Sequence, residues 1–400
     1  MPHPFIILWR TPPDPEISEI HFSFDFCRKI SKRFCNRVSP DALWIDYRGF
    51  PNMGSLLSRA KGDILILVTD PGVILSPRAI EAFLNFARTG HDICGPVYNQ
   101  TPYSAQAASL PATYFDMDSF LEVAAITSET QSRNSIETDT LDPACISFRL
   151  DFLKSMPSQR DAAALLKDPG RHGSPVFTVV PGALVHTGFI KTFASERDDL
   201  VRLVPENSVS NILDVGCAMG GFGKKLRRLY PDIFLTGVEL NPLMARTANL
   251  VYDEIINLPI EEALFSTQFD LINCGDVLEH LTDPWQMLKR FHGLLRDNGN
   301  LVLSIPNVGH WSVAKALLKG TFQYIPLGLL CIGHLRWFTE SSIRESLINA
   351  GFEIAVFEKQ QVRPTPEGRA FIQHACDAGY GDEQSLKTHN FIIRAVKKNN

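Results

Sequence analysis

The residues with the clearest chemical potential lie in the stretch Asn211–Leu226, where an apolar run leads through Asp214 into a glycine-rich turn. Glycine lacks a Cβ, so such a turn can adopt positive φ angles and admit a ligand close to its backbone. A helix that opens at about Phe222 would direct its free N–H groups and the positive end of its dipole toward that ligand. The pattern indicates a nucleotide-cofactor loop. Two ligands suit it: the pyrophosphate of a dinucleotide, and S-adenosylmethionine.

Two acids and an alanine decide between these ligands. Ala218 stands at the second glycine of the dinucleotide fingerprint, the position that clears space for a pyrophosphate. The Asp214 carboxylate would repel a pyrophosphate but suits the ammonium and sulfonium charges of S-adenosylmethionine. Glu239 ends the next apolar run, where an acid binds ribose hydroxyls in both classes. S-adenosylmethionine is therefore the predicted cofactor, and its predicted contacts up to the ribose are Asp214, Gly216, Cys217, Ala218, Gly220, Phe222, Glu239 and Leu240.

The adenine is expected near Asn257 and Leu258, after a third short strand over residues 252–256. The Asn257 side chain could pair with the adenine amino group. An asparagine is also common in a plain turn, and this alternative is nearly as strong.

Gly275 and Asp276, which follow a later apolar strand, are further predicted cofactor contacts, and Glu279 and His280 come shortly after them. If the segment turns helically, its acidic and imidazole groups share one face. Methyl transfer needs a positioned donor and acceptor, and one proton must leave if the acceptor is a hydroxyl. Three roles are open for Asp276, Glu279 and His280: general base, divalent-metal ligands, or hydrogen-bonded support of the loop.

Five segments together resemble the class I S-adenosylmethionine-dependent methyltransferases: Ile212–Cys217, Val238–Glu239, Phe269–Ile272, Asp276–Leu281 and Ser304–Asn307. The resemblance covers about half of the chain. It implies a doubly wound, seven-stranded, mostly parallel sheet, with the cofactor across the carboxyl ends of its strands. Similarity to ubiquinone-pathway O-methyltransferases, which carry an acid-x-x-Glu-His pattern and use a divalent ion, favours the metal role a little. Three ligands alone are a weak metal signal, and no metal site is predicted.

The elements needed to position these residues can be read from periodicity. Short apolar runs at 211–215, 233–238, 269–274 and 300–305 are separated by helical stretches, as βαβ units require. Asp283–Pro284 is a helix start, and the apolar residues that follow, from Trp285 to Leu295, are expected in the core. Residues 352–357 and 391–396 predict two late strands around a helix near residues 367–378.

The segment Gly309–Thr339 is expected to build the acceptor pocket. His310 and His334, with Arg336 and the aromatic residues Trp311, Tyr324 and Trp337, would grip and stack on a hydroxylated or anionic acceptor. His310 and His334 are therefore further candidates for the catalytic base, although His334 could equally be a buried histidine that fixes the loop. Ser304–Val308 with His334–Thr339 is similar to methyltransferases of glycan-assembly systems, which implies a sugar or glycan precursor as acceptor. A quinone-type small molecule is the alternative.

The first half of the chain predicts a second, smaller α/β domain, with residues 1–192 in one domain and 193–400 in the other. Strands are expected over residues 5–9, 42–46, 63–69 and 92–96, with a helix over Pro77–Arg88, whereas Asn99–Asp142 reads as a long loop. Gly62–Pro77 and Ala144–Leu153 resemble GT-A glycosyltransferases, which implies a nucleotide sugar as ligand. Only Asp70 remains of that family's acidic pair, so the domain is as readily a degenerate binding module as a working transferase.

Composition argues against several other classes of protein. A net charge of −5 without a long basic run disfavours nucleic acid as a partner. The longest apolar run, near residues 325–332, is too short to span a bilayer. Eight cysteines without C-x-x-C spacing predict reduced thiols and a cytoplasmic protein.

Overall fold

The computed structural model describes residues 5–11, 18–48, 52–114, 117–131, 135–156, 164–165, 177–187, 192–205, 209–325 and 328–398. The chain divides into two compact units, Met1–Phe189 and Ile190–Asn400. The boundary predicted from the sequence, between residues 192 and 193, lies close to this division. No helix among the described residues is long and apolar enough to cross a membrane. All eight cysteines are described, and none forms a disulfide.

The first unit is an α/β structure built on an eight-stranded mixed sheet. Its strand order is β2-β1-β3-β7-β5-β8-β4, and β6 pairs with β8. The strands are β1 Ile6–Arg10, β2 Leu43–Tyr47, β3 Ile64–Val68, β4 Ile74–Leu75, β5 Ile93–Tyr98, β6 Ile136–Thr138, β7 Cys145–Arg149 and β8 Phe177–His186. The helices are α1 Ser18–Val38, α2 Met53–Arg59, α3 Pro77–Arg88, α4 Met117–Gln131 and α5 Leu150–Ser155. The four predicted strands and the helix Pro77–Arg88 are confirmed, with strand ends that shift by one or two residues.

The expectation of a long loop over Asn99–Asp142 is wrong. This stretch contains α4 and the short strand β6. Phe120, Val123, Ala124 and Thr127 are buried along one face of α4, at the spacing of a helix that packs on a core. Its many serine, threonine and alanine residues concealed this periodicity, because small and hydroxylated side chains weaken the contrast between its two faces.

The second unit contains a seven-stranded sheet in the order β11-β10-β9-β12-β13-β15-β14. Its strands are β9 Asn211–Val215, β10 Phe234–Val238, β11 Glu254–Ile256, β12 Phe269–Gly275, β13 Leu295–Pro306, β14 Phe352–Gln361 and β15 Thr388–Lys397. Its helices are α6 Asp198–Val201, α7 Gly221–Leu229, α8 Pro242–Ala248, α9 Pro284–Leu294, α10 Trp311–Leu318, α11 Glu340–Asn349, α12 Pro366–Asp377 and α13 Glu383–Lys387. The seven predicted strands are present, and the sheet is mixed: β9 to β13 run parallel, whereas β15 is antiparallel to both β13 and β14.

Both faces of this sheet are buried, as in a doubly wound fold. Successive residues of a strand point to opposite faces, and Ile212 and Leu213 of β9 accordingly belong to two separate hydrophobic clusters. Leu271 and Ile272 of β12 divide between the clusters in the same way. Each of these side chains is fully buried. The sheet is therefore a rigid platform, and only its strand ends are available to bind a ligand.

One core prediction is wrong in part. Leu288, Phe291 and Leu295 are buried as expected, but the Trp285 side chain is 48% exposed. Its indole N–H donates to the Ser346 hydroxyl at 3.1 Å. Trp285 occupies the first turn of α9, and a helical spacing alone does not reveal that its side chain stays half exposed.

Candidate functional site

The carboxyl ends of the five parallel strands lie at one edge of the sheet, and the predicted site residues follow those ends. The order β10-β9-β12 makes the chain reverse its direction of winding beside β9, which is where doubly wound sheets bind ligands. The turn after β9 has positive φ angles at Gly216 (70°), Ala218 (49°) and Gly220 (84°). Of these three residues, only Ala218 has a Cβ, so only its left-handed backbone is sterically strained. The turn thus has the backbone shape that its sequence predicts.

Asp214 is buried directly beneath this turn. Its side chain is 1% exposed, and its two oxygens accept hydrogen bonds from the Asn273 amide at 2.7 Å and from the Tyr252 hydroxyl. Burial raises the pKa of Asp214 to about 6, although both hydrogen bonds oppose the shift. The Tyr252 hydroxyl also accepts the Gly223 N–H at 3.0 Å, at the start of α7. Asp214 therefore positions the turn, and a direct contact between its carboxylate and a ligand stays a prediction.

Glu239 links the turn to the end of β10. Its carboxylate accepts the Ala218 N–H at 2.8 Å and the Asn241 N–H at 2.7 Å, and the residue is 9% exposed. The first of these bonds joins two predicted cofactor residues that are distant in sequence. A carboxylate held in this way at the sheet edge is suitably placed for ribose hydroxyls.

The residues expected around the adenine lie beside Glu239. The Asn257 side-chain N–H groups donate to the Glu239 carbonyl at 2.6 Å and the Leu240 carbonyl at 3.0 Å, so its amide oxygen is the atom left to accept from an adenine amino group. Leu240 and Leu258 are 67% and 45% exposed. Exposed leucines next to an orienting amide are consistent with an apolar surface for a purine. These residues fit S-adenosylmethionine.

Two other predicted cofactor residues point into the protein. Cys217 and Phe222 are 5% and 4% exposed and belong to the hydrophobic cluster beneath the turn. Any contact from these two residues to a cofactor would come from the backbone. Gly216 is enclosed as well, because a Cβ there would collide with Val277 of the next loop. The turn and the segment after β12 are thus packed directly together.

Asp276 adopts a left-handed backbone conformation, with a φ of 54°. Its carboxylate accepts from the Arg197 guanidinium at 2.7 Å, the Ser304 hydroxyl at 2.8 Å and the Asn390 amide at 3.2 Å. Burial alone would raise the pKa of Asp276, but Arg197 and these hydrogen bonds hold it below its ordinary value. Asp276 is thus a charged anchor, and its role as a base stays a prediction. No sequence pattern signals the role of Arg197 at this site, since Asp276 and Ser304 are remote from it in the chain.

Glu279 and His280 lie on a single 3-10 turn, Leu278–His280, rather than on an α-helix. The His280 ring is half-buried, and its Nδ1 lies 3.0 Å from the Gly333 carbonyl oxygen. The Glu279 side chain is buried, and His334 Nε2 lies 3.9 Å from one of its oxygens. The structure therefore brings together three of the predicted catalytic residues, Glu279, His280 and His334.

His310 and Trp311 lie outside the predicted acceptor cleft. His310 is completely buried and caps α10, where its Nδ1 accepts the Ser312 N–H. Burial lowers the pKa of His310 to about 3. Trp311 is 2% exposed and packs on Ile372 of α12. The local sequence pattern of a helix start beside an aromatic residue is the same whether the residues line a cleft or lie in a core. Here the packing of α12 against Trp311 places these residues in the core.

Three other aromatic residues of the segment are exposed, whereas Phe338 is buried. Trp337 and Tyr324 are 39% and 45% exposed, and both rings contact Phe322, with centroid separations of 6.0 Å and 5.2 Å. We call Phe322, Tyr324 and Trp337 the aromatic surface. Arg336 lies over the Trp285 ring, 6.0 Å from its centroid. Aromatic faces of this kind can stack on the apolar side of a sugar or a ring.

The Tyr252 hydroxyl gives a direct test of how the turn is held. In Tyr252→Phe, Asp214 loses a donor and the Gly223 N–H loses its acceptor, so we expect the free energy of unfolding to fall by about 1–3 kcal/mol. Tyr380→Phe, at a residue that is 80% exposed, should change it by less than about 0.5 kcal/mol. Urea denaturation followed by circular dichroism measures both variants. Equal stabilities for the two would contradict the assigned role of Tyr252.

Comparison with known proteins gives a family match that lies in the second unit. A family described as methyltransferase domain matches residues 190–355. The ubiquinone biosynthesis O-methyltransferase of Histophilus somni is 30% identical over 134 residues, which cover 28% of this chain and 56% of that protein. The enzyme of the same name from Psychrobacter arcticus is 27% identical over 161 residues, or 35% of this chain and 58% of that protein. The chain thus spans a little over half the length of these curated relatives.

Solved structures match about half of the chain. The N-methyltransferase NodS from Bradyrhizobium japonicum is 18% identical, with a TM-score of 0.33, and the match covers 52% of this chain and 96% of that one. An S-adenosylmethionine-dependent methyltransferase from Mesorhizobium loti is 16% identical, with a TM-score of 0.34, over 50% of this chain and 95% of that one. The family match and the observed sheet agree. Residues 190–355 of this chain match a methyltransferase domain, and the unit that contains them is built on a doubly wound α/β sheet.

Proposed function

We propose that this chain is an S-adenosylmethionine-dependent methyltransferase that transfers the methyl group to an oxygen of a small-molecule acceptor. One observation carries the proposal: the glycine turn, bonded to Glu239 through Ala218, lies at the same sheet edge as the half-buried His280. A cofactor across this edge would have its methyl group on the side of the Asp276–His280 segment. Cofactor binding and proton removal are thus assigned to the ends of neighbouring strands.

The cofactor supplies an activated methyl group on a sulfonium, so the chain itself has to position the reactants and accept one proton. The turn and Glu239 would hold the methionine and ribose parts, and Asn257 the adenine. His280 is the favoured base. Its Nδ1 lies against a carbonyl oxygen and must carry the proton of the neutral ring, which makes Nε2 the basic nitrogen. His310 and His334 are less suited, because both are buried.

We propose a sugar or glycan precursor as the acceptor, with a quinone-type small molecule as the second candidate. The aromatic surface supports a ring-shaped acceptor with an apolar face. The curated relatives are named ubiquinone biosynthesis O-methyltransferase, which supports the quinone-type candidate. Both candidates need the same chemistry, namely removal of a hydroxyl proton while the oxygen attacks the methyl carbon in line.

The first unit carries a separate and narrower proposal, the binding of a nucleotide sugar near Asp70. Asp70 follows β3 at the carboxyl end of that strand, and one carboxylate oxygen accepts the Gly72 N–H at 2.8 Å. A calorimetric titration of the full chain with a nucleotide sugar tests this proposal. Binding should be measurable and should be lost in Asp70→Ala, and a wild-type chain that takes up no nucleotide sugar would leave this unit without the proposed ligand.

Cofactor binding is the first test of the methyltransferase proposal. Glu239→Ala removes the carboxylate assigned to the ribose, so we expect its dissociation constant for S-adenosylmethionine to rise at least about tenfold, as for a lost charged hydrogen bond. Glu262→Ala is the matched control, because Glu262 is an exposed acid. Isothermal titration calorimetry compares the two variants with the wild type. Unchanged affinity in Glu239→Ala would refute the assigned site.

Measurements of turnover test the assignment of His280 as the catalytic base. His280→Ala should lower kcat by about 10²–10⁴-fold, the usual contribution of a positioned base, while the affinity for S-adenosylmethionine stays close to that of the wild type. Transfer of a labelled methyl group to a panel of sugars, sugar nucleotides and quinone precursors provides the assay. Mass spectrometry of cell-envelope sugars with and without the protein would identify a missing methyl group. Wild-type rates in His280→Ala would exclude this residue as the base.

A further inference from the structure

The segment Thr192–Glu196 lies against the glycine turn, and we call it the strap. The Met219 N–H, within the turn, donates to the Phe193 carbonyl at 3.0 Å. A Cβ at Gly221, the first residue of α7, would lie 2.1 Å from the Ser195 carbonyl oxygen. Two backbones can approach so closely only because glycine lacks that atom. The strap therefore touches both the turn and the start of the helix that follows it.

Two segments border the glycine turn. One is the Asp276–His280 segment, since a Cβ at Gly216 would lie 2.4 Å from Val277 Cγ2. The other is the strap, through its bond to Met219. The proposed function places the methionine part of the cofactor in this turn, so both segments are neighbours of the cofactor. Release of the cofactor therefore depends on the segment that opens more readily.

The first of these segments is firmly held. The Asp276 carboxylate accepts from the Arg197 guanidinium at 2.7 Å and from the Ser304 hydroxyl at 2.8 Å. Hydrogen bonds to ionised groups are roughly twice as strong as those between neutral groups. Further along, the Glu279 carbonyl accepts the Leu335 N–H at 2.8 Å. This side of the turn is fixed.

The strap is held by ion pairs at the surface. The Glu196 carboxylate accepts from the Arg228 guanidinium at 2.8 Å, and the Lys225 ammonium lies 3.8 Å from one of its oxygens. The side chains of Glu196 and Arg228 are 33% and 50% exposed. Exposed ion pairs contribute little to stability, and salt screens them. The contacts between the strap and α7 are therefore easily broken.

The strap also buries little side-chain surface. Thr192, Ala194 and Ser195 are exposed, and Phe193 is half-buried. Segments with few buried contacts open at a low free energy. Arg197 follows directly, with a left-handed φ of 50°, and precedes α6. Because its guanidinium is bonded to Asp276, Arg197 is a fixed end about which the strap can rotate while α6 stays packed.

We propose that the strap opens and closes over the glycine turn and so controls the rate at which S-adenosylmethionine is released. This inference rests on the proposed function for the identity of the cofactor. In the closed state, the Phe193–Met219 hydrogen bond and the Glu196–Arg228 ion pair are both formed. Opening breaks both. Since the ion pair is exposed to solvent, the residence time of the cofactor depends on ionic strength.

The ion pair provides the first test, on the full chain. Labelled S-adenosylmethionine is bound and then chased with an excess of the unlabelled compound. We expect release to be about two- to fivefold faster in Glu196→Gln, the range for a lost exposed ion pair. Added salt should accelerate release from the wild type and have a smaller effect on Glu196→Gln, which lacks the screened charge. Lys224→Gln, at an exposed lysine of the same helix, is the control and should release the cofactor as the wild type does.

A steric wedge provides the second test. Gly221→Ala places a methyl group where the Ser195 carbonyl lies, so the strap has to move away, and we expect release to be at least about tenfold faster. Gly293→Ala is the matched control, because a Cβ there meets nothing within 4 Å. Hydrogen exchange of the Met219 amide reports opening directly. It should be faster in Gly221→Ala than in the wild type, and slower in the wild type once the cofactor is bound.

Three outcomes would overturn the proposal: equal release rates in the wild type, Glu196→Gln and Gly221→Ala; wild-type release that is independent of salt; or Met219 exchange that the cofactor does not slow. Circular dichroism checks that each variant folds, and if Gly221→Ala does not, Glu196→Gln and the wild-type salt series still decide. A purely structural strap would lower the free energy of unfolding in the variants without changing the release rate. Cofactor binding with unchanged release rates refutes only the role of the strap. A chain that binds no S-adenosylmethionine refutes the proposed function, and the control of release with it.

Discussion

A buried carboxylate at the sheet edge is the constraint on which the site depends. Asp214 has almost no exposure, so it is tolerated only where donors surround it. Asn273, its partner on the neighbouring strand, joins β9 to β12, and Tyr252 connects it to the first turn of α7. The glycine turn lies between these two attachments. The shape of the turn therefore depends on the hydrogen bonds that the Asp214 carboxylate beneath it requires. The glycines allow the backbone to adopt the positive φ angles of that shape.

Two non-glycine residues at the site keep left-handed conformations, and each is held by several contacts. Ala218 is fixed by its N–H bond to Glu239, and Asp276 by the bonds of its carboxylate to Arg197 and Ser304. Backbone strain of this kind persists only where the surroundings determine it strongly, and it concentrates at functional sites. Here the strained backbone lies in the glycine turn and at the start of the Asp276–His280 segment. A more flexible backbone at Ala218 or Asp276 would make the distance between the two segments more variable.

Much of the second unit could be predicted because its signals are local. β9, β10 and β12 are short apolar runs with an acid at or next to their ends, and parallel strands place those ends at one edge. Predictions failed where a local pattern has two tertiary outcomes. Trp285 follows a helical apolar spacing yet remains half exposed, and His310 and Trp311 resemble a cleft yet are buried. Helix α4 was missed because small side chains hide its amphipathic character.

The sequence by itself determined the sheet, the glycine turn and the positions of Asp214, Glu239 and Asp276 near strand ends, and from these it predicted the class of cofactor. These features depend on residue type and on spacing within one βαβ unit, where the chain has few ways to fold. Only the tertiary structure decided that Asp214 supports the turn from below, that Arg197 neutralises Asp276, and that His334 faces Glu279. Each of these contacts joins residues whose separation along the chain carries no periodic signal. Which side chains meet is fixed by how elements pack, and no local pattern records that packing.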